Sequence, residues 1–259
     1  MITAADSARV PAVTVSVDAE AVMVSAARRV CDLLTEAVVA RGVASLVLAG
    51  GRTPRGLYEL LSASPDDWPL RWDRVRLFMG DERWVPADHG DSNQRMVRES
   101  LLADLPGDPV FHPMPTDGAS PAEDAARYRE CLAREVPEAR GGMPRFDLIL
   151  LGMGDDGHTA SLFPDTPAID ATEPVAEVHV PKFDSWRLTL TPPALNAARH
   201  VLFLVTGADK APVLARVLGD GPRRELPASL VNPPEGEVEW QVDRQAAALL
   251  GGLVREPGS

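Results

Sequence analysis

The chain is short of the features that tie a protein to a large anionic or lipid partner. Lys and Arg number 26 against 38 Asp and Glu in 259 residues, a formal net charge of −12. Nucleic acid and anionic membrane surfaces ask for a basic patch, so neither is an expected partner. A small anion is not excluded, because a single pocket can be positive on an acidic protein. No apolar run approaches the roughly 18 residues of a membrane span. The stretch from Met1 to Pro11 lacks the basic and apolar segments of a secretory signal, so a cytoplasmic location is expected. There are two cysteines, Cys31 and Cys131, each in a helix-like stretch. Two isolated cysteines make neither a disulfide framework nor a zinc pattern and read as buried free thiols. Aromatics are 5% of the chain, so Val, Leu and Ala must fill most of the core. There is no repeat of fixed period, and no linker long enough to divide the chain.

What is present is ordinary globular composition: 45% hydrophobic and 25% charged residues. The 20 Gly and 24 Pro are spread along the chain and read as loop punctuation. Val13, Val15 and Val17 alternate as a strand. Asp18 then suits the N-cap of a helix to about Ala40, with Val22, Val30, Leu33, Leu34 and Val38 as its apolar stripe and Gly42 as its C-cap. Continuous apolar runs follow at Ser45–Ala49, Val75–Met79, Phe146–Leu151 and Val201–Val205. Helical stretches follow or separate them: one from Thr53 as N-cap and Pro54, one from Ser92 through Leu102, one over Ala122–Glu135 and one over Lys210–Leu218. Val175–Val180, Arg187–Thr191 and Val238–Val242 alternate as strands, Pro192 to Ala198 begins a helix, and Gln245–Leu250 reads as a last one. Leu105–Arg145 and Pro164–Pro181 read as insertions over the sheet. Buried strands alternating with helices predict a single α/β domain over residues 13–252, a mostly parallel sheet with helices on both faces. Residues 1–12 and 253–259 are expected to be flexible ends.

In such a sheet ligands bind beyond the carboxyl ends of the strands, and here those ends carry glycine and polar groups. Gly50-Gly51-Arg52-Thr53-Pro54 joins a strand to a helix N-terminus and suits a phosphate. The same turn also reads as a bare connection with a capping threonine, since it is neither a dinucleotide fingerprint nor a P-loop. Gly80-Asp81-Glu82-Arg83 offers Arg83 as an anion ligand, with Asp81 or Glu82 to hold it or to contact hydroxyls. A surface charge cluster is the plainer reading. Gly152-Met153-Gly154-Asp155-Asp156-Gly157-His158 places a histidine at the expected start of a helix. A helix N-terminus disfavours imidazolium, so His158 is expected to be neutral and able to accept a proton, with Asp156 to orient it. A lone histidine is ordinarily structural, and only its place at a strand end makes this one a candidate. His89, His112, His179 and His200 lack that context. Ser161 has no nucleophile elbow, and Asp155, Asp156 and His158 find no second cluster that would complete a metal site.

These segments, with Arg187-Leu188-Thr189-Leu190-Thr191 and Gly207-Ala208-Asp209-Lys210-Ala211, resemble the 6-phosphogluconolactonase family. The resemblance runs from about residue 13 to 250, and Asp-Gly-His-Thr-Ala-Ser-Leu-Phe-Pro is its most specific stretch. It implies the fold of glucosamine-6-phosphate deaminases and ribose-5-phosphate isomerases. It implies a carboxylic ester hydrolase that opens 6-phospho-D-glucono-1,5-lactone in the oxidative pentose phosphate pathway, with no metal or organic cofactor. His158 is then the general base and Asp156 its orienting partner. Gly50, Gly51, Thr53, Arg83, Arg187 and Lys210 are the phosphate ligands, and Asp81, Asp155 and Lys182 are further candidates. The family usually has Ser where Arg52 stands, so Arg52 either adds charge beside the phosphate or faces solvent. A monomer or weak homodimer is expected. The rival readings are a glucosamine-6-phosphate deaminase or isomerase, and a non-catalytic sugar-phosphate sensor on the same scaffold.

Overall fold

The computed structural model describes residues 12–64, 67–136, 139–219 and 221–251. The ends expected to be flexible lie outside them, except that Ala12 opens the first strand. In chain order the elements begin β1 (Ala12–Ser16), α1 (Ala19–Arg41), β2 (Ala44–Leu48), α2 (Arg52–Ala63), β3 (Val75–Met79) and β4 (Asp81–Arg83). They continue α3 (Asn93–Val97), β5 (Val110–His112), α4 (Pro121–Glu135), β6 (Ala139–Arg140), β7 (Met143–Pro144) and β8 (Leu148–Leu151). The last are β9 (Val175–Val180), β10 (Ser185–Leu190), α5 (Pro192–Leu195), β11 (His200–Val205), α6 (Ala211–Gly219) and β12 (Glu237–Asp243). Among the described residues no helix is long and apolar enough to cross a membrane.

Seven strands form one sheet in the order β1-β12-β11-β8-β2-β3-β5, and every pairing in it is parallel. Each residue of β8 is buried, as is each of β11 after His200. Such runs need cover on both faces, which is why these strands read as continuous apolar sequence. From β2 the chain steps outward through β3 to β5, then returns to β8 on the other side of β2 and moves out through β11 to β12. The order therefore reverses between β2 and β8, where a doubly wound sheet opens a crevice.

Local signals in the sequence set the helices. Asp18 caps α1 by accepting from the Ala21 amide at 2.9 Å, and Gly42, at φ 80°, closes it by donating to the Val38 carbonyl. Ser92 caps α3 through the Arg95 amide, and a π-helical turn, Arg98–Leu102, continues it. Gly51, at φ 100°, is the N-cap of α2, so Thr53 lies inside the first turn and does not cap it. Leu105–Arg145 is not only an insertion, because the three-residue β5 within it completes one edge of the sheet. A strand this short and half exposed carries no period to detect. Gln245–Leu250 forms successive turns and not a helix. Asp243 takes the Ala246 amide at 2.7 Å and folds the chain back on itself. Cys31 is buried as expected, and Cys131 is half-buried.

The chain has two tyrosines, and both are buried with the same task. The Tyr58 hydroxyl on α2 accepts from the Ala49 amide at 2.9 Å and donates to the Ala49 carbonyl at 3.0 Å, just past β2. The Tyr128 hydroxyl on α4 does the same to Met79, at 2.9 and 3.1 Å, at the end of β3. Each closes a strand end that would otherwise hold orphaned backbone groups. Tyr58→Phe keeps the ring and orphans both groups of Ala49. Denaturant unfolding is expected to show a loss of about 1–3 kcal/mol. An unchanged midpoint and slope would show that this closure does not matter.

Candidate active site

A cleft of about 700 Å³ lies at the carboxyl ends of β2, β3, β8, β11 and β12. Its lining includes Gly50, Gly51, Arg52, Thr53, Asp81, Arg83, His158, Arg187 and Lys210. Sequence positions as far apart as 50 and 210 are thus brought to the switch point. Asp156 is beside His158 but outside the lining, as are Asp155 and Lys182.

His158 is held in a loop, because no helix starts at the turn after β8 and the first helical turn comes only at Pro167–Asp170. The helix-dipole argument for a neutral imidazole therefore does not apply, and Asp156 does the orienting. Asp156 Oδ1 lies 2.5 Å from His158 Nδ1 and also accepts the His158 amide at 3.1 Å. Facing a carboxylate, the ring carries its proton on Nδ1, which leaves the lone pair on Nε2. The bond to His158 holds the Asp156 carboxyl well below the usual carboxylate range, with help from Lys182 at 3.2 Å and against partial burial. Phe163 stacks on the ring at 4.0 Å. Gly154 gives the imidazole its space, since a Cβ there would come within 2.0 Å of Nδ1. Lys182 bridges Asp156 and the exposed Asp155, so both act outside the cleft.

The opposite wall is cationic. Arg83 on β4 and Arg187 on β10 are direct cross-strand partners in a separate antiparallel sheet, β4-β10-β9. Like charges directly opposite are unfavourable on their own. Each guanidinium has a buried Nε with no hydrogen-bond partner among the described residues. Arg83 Nη1 donates to the Asp91 carbonyl at 2.7 Å and to Asn93 Oδ1 at 2.9 Å. Arg187 is buried against Phe163 and Phe183, and that burial pulls its guanidinium below the usual value, against the Asp81 charge. The buried Arg187 guanidinium and the partly buried Arg83 guanidinium, each with an Nε donor to spare among the described residues, could together hold an anion.

The Gly50 turn adds the start of α2. The amides of Arg52 and Thr53 lie in its first turn, where none has an acceptor within the helix, and Pro54 contributes no N–H. Thr53 Oγ1 pairs with Thr206 Oγ1 at 3.2 Å, which ties the turn to the end of β11. Arg52 is exposed at the rim and lines the cleft. Lys210, at 3.5 Å from Asp209, completes the cations. Asp81 accepts from Ser161 at 2.7 Å and from Asn93 at 3.3 Å, so it braces the wall. Asp243 likewise takes the Gly207 amide at 3.0 Å. Four cations line the cleft against Glu20, Asp81, Asp209 and Asp243, a formal balance of zero in a chain of −12.

Two contributors have a place in the sequence and no role legible in it: Asn93 follows the Ser92 cap in a stretch that shares the family resemblance, Thr206 follows the fourth apolar run, and each acts through a tertiary contact. Among the described residues, the grouping of metal-ligating side chains within 4.8 Å is His200, Glu237 and Glu239. It sits at the amino-terminal half of β11 and β12, away from the cleft, and Arg29 already binds Glu239.

The lowered Asp156 carboxyl has a sign. A depressed native pKa adds stability above the unfolded value of about 3.9, and that stability is lost as pH falls through the native value. Melting curves of wild type and Asp156→Asn should differ most near neutral pH, begin to approach one another as pH falls below about 4, and converge only once pH has fallen through the depressed native value. A gap that does not change with pH would contradict the pairing.

A family profile described as glucosamine-6-phosphate isomerases/6-phosphogluconolactonase matches residues 17–240. A 6-phosphogluconolactonase of Synechocystis is 42% identical over 243 residues, covering 93% of this chain and 98% of that one. One from Homo sapiens is 41% identical over 218 residues, 82% of each chain. The solved 6-phosphogluconolactonase of Trypanosoma brucei superposes with a TM-score of 0.78 at 32% identity, covering 93% of this chain and 99% of that one. A monomeric glucosamine-6-phosphate deaminase shares the fold, with a TM-score of 0.79 at 20% identity. The chain belongs to the glucosamine-6-phosphate isomerase/6-phosphogluconolactonase family.

Proposed function

We propose that this protein hydrolyses 6-phospho-D-glucono-1,5-lactone to 6-phospho-D-gluconate. The observation that carries this reading is a carboxylate-oriented histidine and a paired-arginine anion site in one cleft. The substrate needs both, because it is an activated ester joined to a phosphate dianion. The names and coverage of the relatives support the same substrate.

The reaction follows from the groups present. Arg83, Arg187, Lys210 and the first turn of α2 hold the phosphate, which fixes the lactone at the His158 end of the cleft. Water attacks the lactone carbonyl carbon while His158 Nε2 takes its proton. The new C–O bond gives a tetrahedral oxyanion. That intermediate collapses, the bond from carbon to the ring oxygen breaks, and His158 returns the proton to the leaving oxygen. Asp156 stabilises the imidazolium that exists between these steps. The amides of Gly154 and Gly207 are already bonded to His158 and Asp243, so they are not oxyanion donors. None of these steps requires a metal or an organic cofactor.

His158→Ala should lower the hydrolysis rate by about 10²–10⁴, after the spontaneous opening of the lactone is subtracted. Full activity in that variant would remove His158 from the mechanism. A side-by-side assay with glucosamine 6-phosphate separates the deaminase reading. Turnover of the lactone and not of the amino sugar is expected, and the reverse would transfer the site to the rival reaction.

A further inference from the structure

Arg83 sits at the end of a three-residue strand that pairs with β10 on one side alone, so its other side needs a separate hold. One buried group supplies it. Glu82 is fully buried. Its Oε1 accepts the amides of Arg83 at 2.8 Å and Asn93 at 2.7 Å, and its Oε2 accepts the Gln94 amide at 2.7 Å and the Ser92 hydroxyl at 3.4 Å. A single carboxylate therefore locks β4 to the start of α3. From there the link continues through a side chain. Asn93 Oδ1 accepts from the Arg83 guanidinium at 2.9 Å, and its Nδ2 donates to the Asp81 carbonyl at 3.1 Å. The same amide lies against the phosphate turn, so closely that a Cβ on Gly50 would come within 2.2 Å of it.

A carboxylate beside an anion site opposes binding unless its charge is engaged elsewhere. Here both oxygens of Glu82 are turned away onto backbone donors. An apolar residue would leave three amides orphaned. A glutamine would keep the shape but replace one acceptor oxygen with a donor, and that donor would face an N–H.

We infer that Glu82 is a positioning residue for the anion site, one that holds β4 against the start of α3 and so sets Arg83 and the Asn93 amide at the Gly50 turn. The inference rests on reading Arg83 as a phosphate ligand. Its consequence is an effect on phosphate affinity more than on the chemical step, because His158 and Asp156 hang from a different loop.

The test is Glu82→Gln in the full chain, with lactone kinetics and inorganic phosphate as a competing probe. The KM for the lactone and the inhibition constant for phosphate should rise together by about tenfold or more, while kcat changes by less than about threefold. A folded variant with wild-type KM and phosphate inhibition overturns the inference, and so does a fall in kcat alone. If Glu82→Gln does not fold, Asn93→Ala decides, because it keeps the backbone lock and cuts the link to Arg83. The same rise in both constants is expected, and wild-type values overturn the inference. If wild type binds phosphate but does not open the lactone, the proposed function fails. Calorimetry of phosphate binding to wild type and Glu82→Gln still tests the positioning role.

Discussion

A parallel sheet buried on both faces has one unavoidable weakness. Its strands must end, and their last N–H and C=O groups need partners in a place that helices do not cover. In this protein the carboxyl ends of the strands are closed one at a time. Tyr58 closes β2, Tyr128 closes β3, Thr159 donates to the Gly152 carbonyl past β8 at 2.8 Å, and Asp243 takes the Gly207 amide past β11. What stays open is the crevice between β2 and β8, where the strand order reverses. The cleft exists because closure is local and the reversal leaves nothing to close against.

The cleft has two ends whose supports meet at Phe163 and at the Ser161–Asp81 bond. The histidine end depends on one loop, in which Asp156 fixes the ring, Phe163 stacks on it and Gly154 leaves it room. The proposed anion end depends on the small antiparallel sheet, where Arg83 and Arg187 face each other across β4 and β10, each with an Nε that has no partner among the described residues. Glu82, whose carboxyl burial pushes up to about 7 against the pull of its three amides, underlies that end. Phe163 packs on both His158 and Arg187, while Glu82 and Asn93 make no hydrogen bond to the His158 loop among the described residues. The net charge of −12 belongs to the whole surface, while the cleft lining balances its charges.

Much of this arrangement was readable in advance. The continuous apolar runs marked the buried strands because two-sided burial leaves no room for alternation. Asp18 with Gly42, and Ser92, marked helix ends because capping is a local bond. The convergence of Gly50, Arg83, His158 and Lys210 followed from the rule that parallel strands present their carboxyl ends together. The failures were tertiary. β5 is three residues at an edge, and no period shows in so few. Thr53 looked like a cap, but Gly51 could adopt the positive φ the turn required and the threonine turned to Thr206. His158 reads as a helix start because a glycine turn precedes it, but the loop closes on itself through the Gly154 amide and the His158 carbonyl. Ser92-Asn93 shares the family resemblance, but the contacts of Asn93 exist only once Gly50 and Arg83 have been brought to it.

A crystal structure with 6-phosphogluconate bound tests the central claim most directly, because the product carries the phosphate at one end and the former lactone carbon at the other. The account predicts the phosphate between the Gly50–Gly51 turn and the Arg83, Arg187 and Lys210 side chains, with the C1 carboxylate at His158. A product bound in the reverse direction, with its phosphate at His158, or bound outside the cleft, would contradict it.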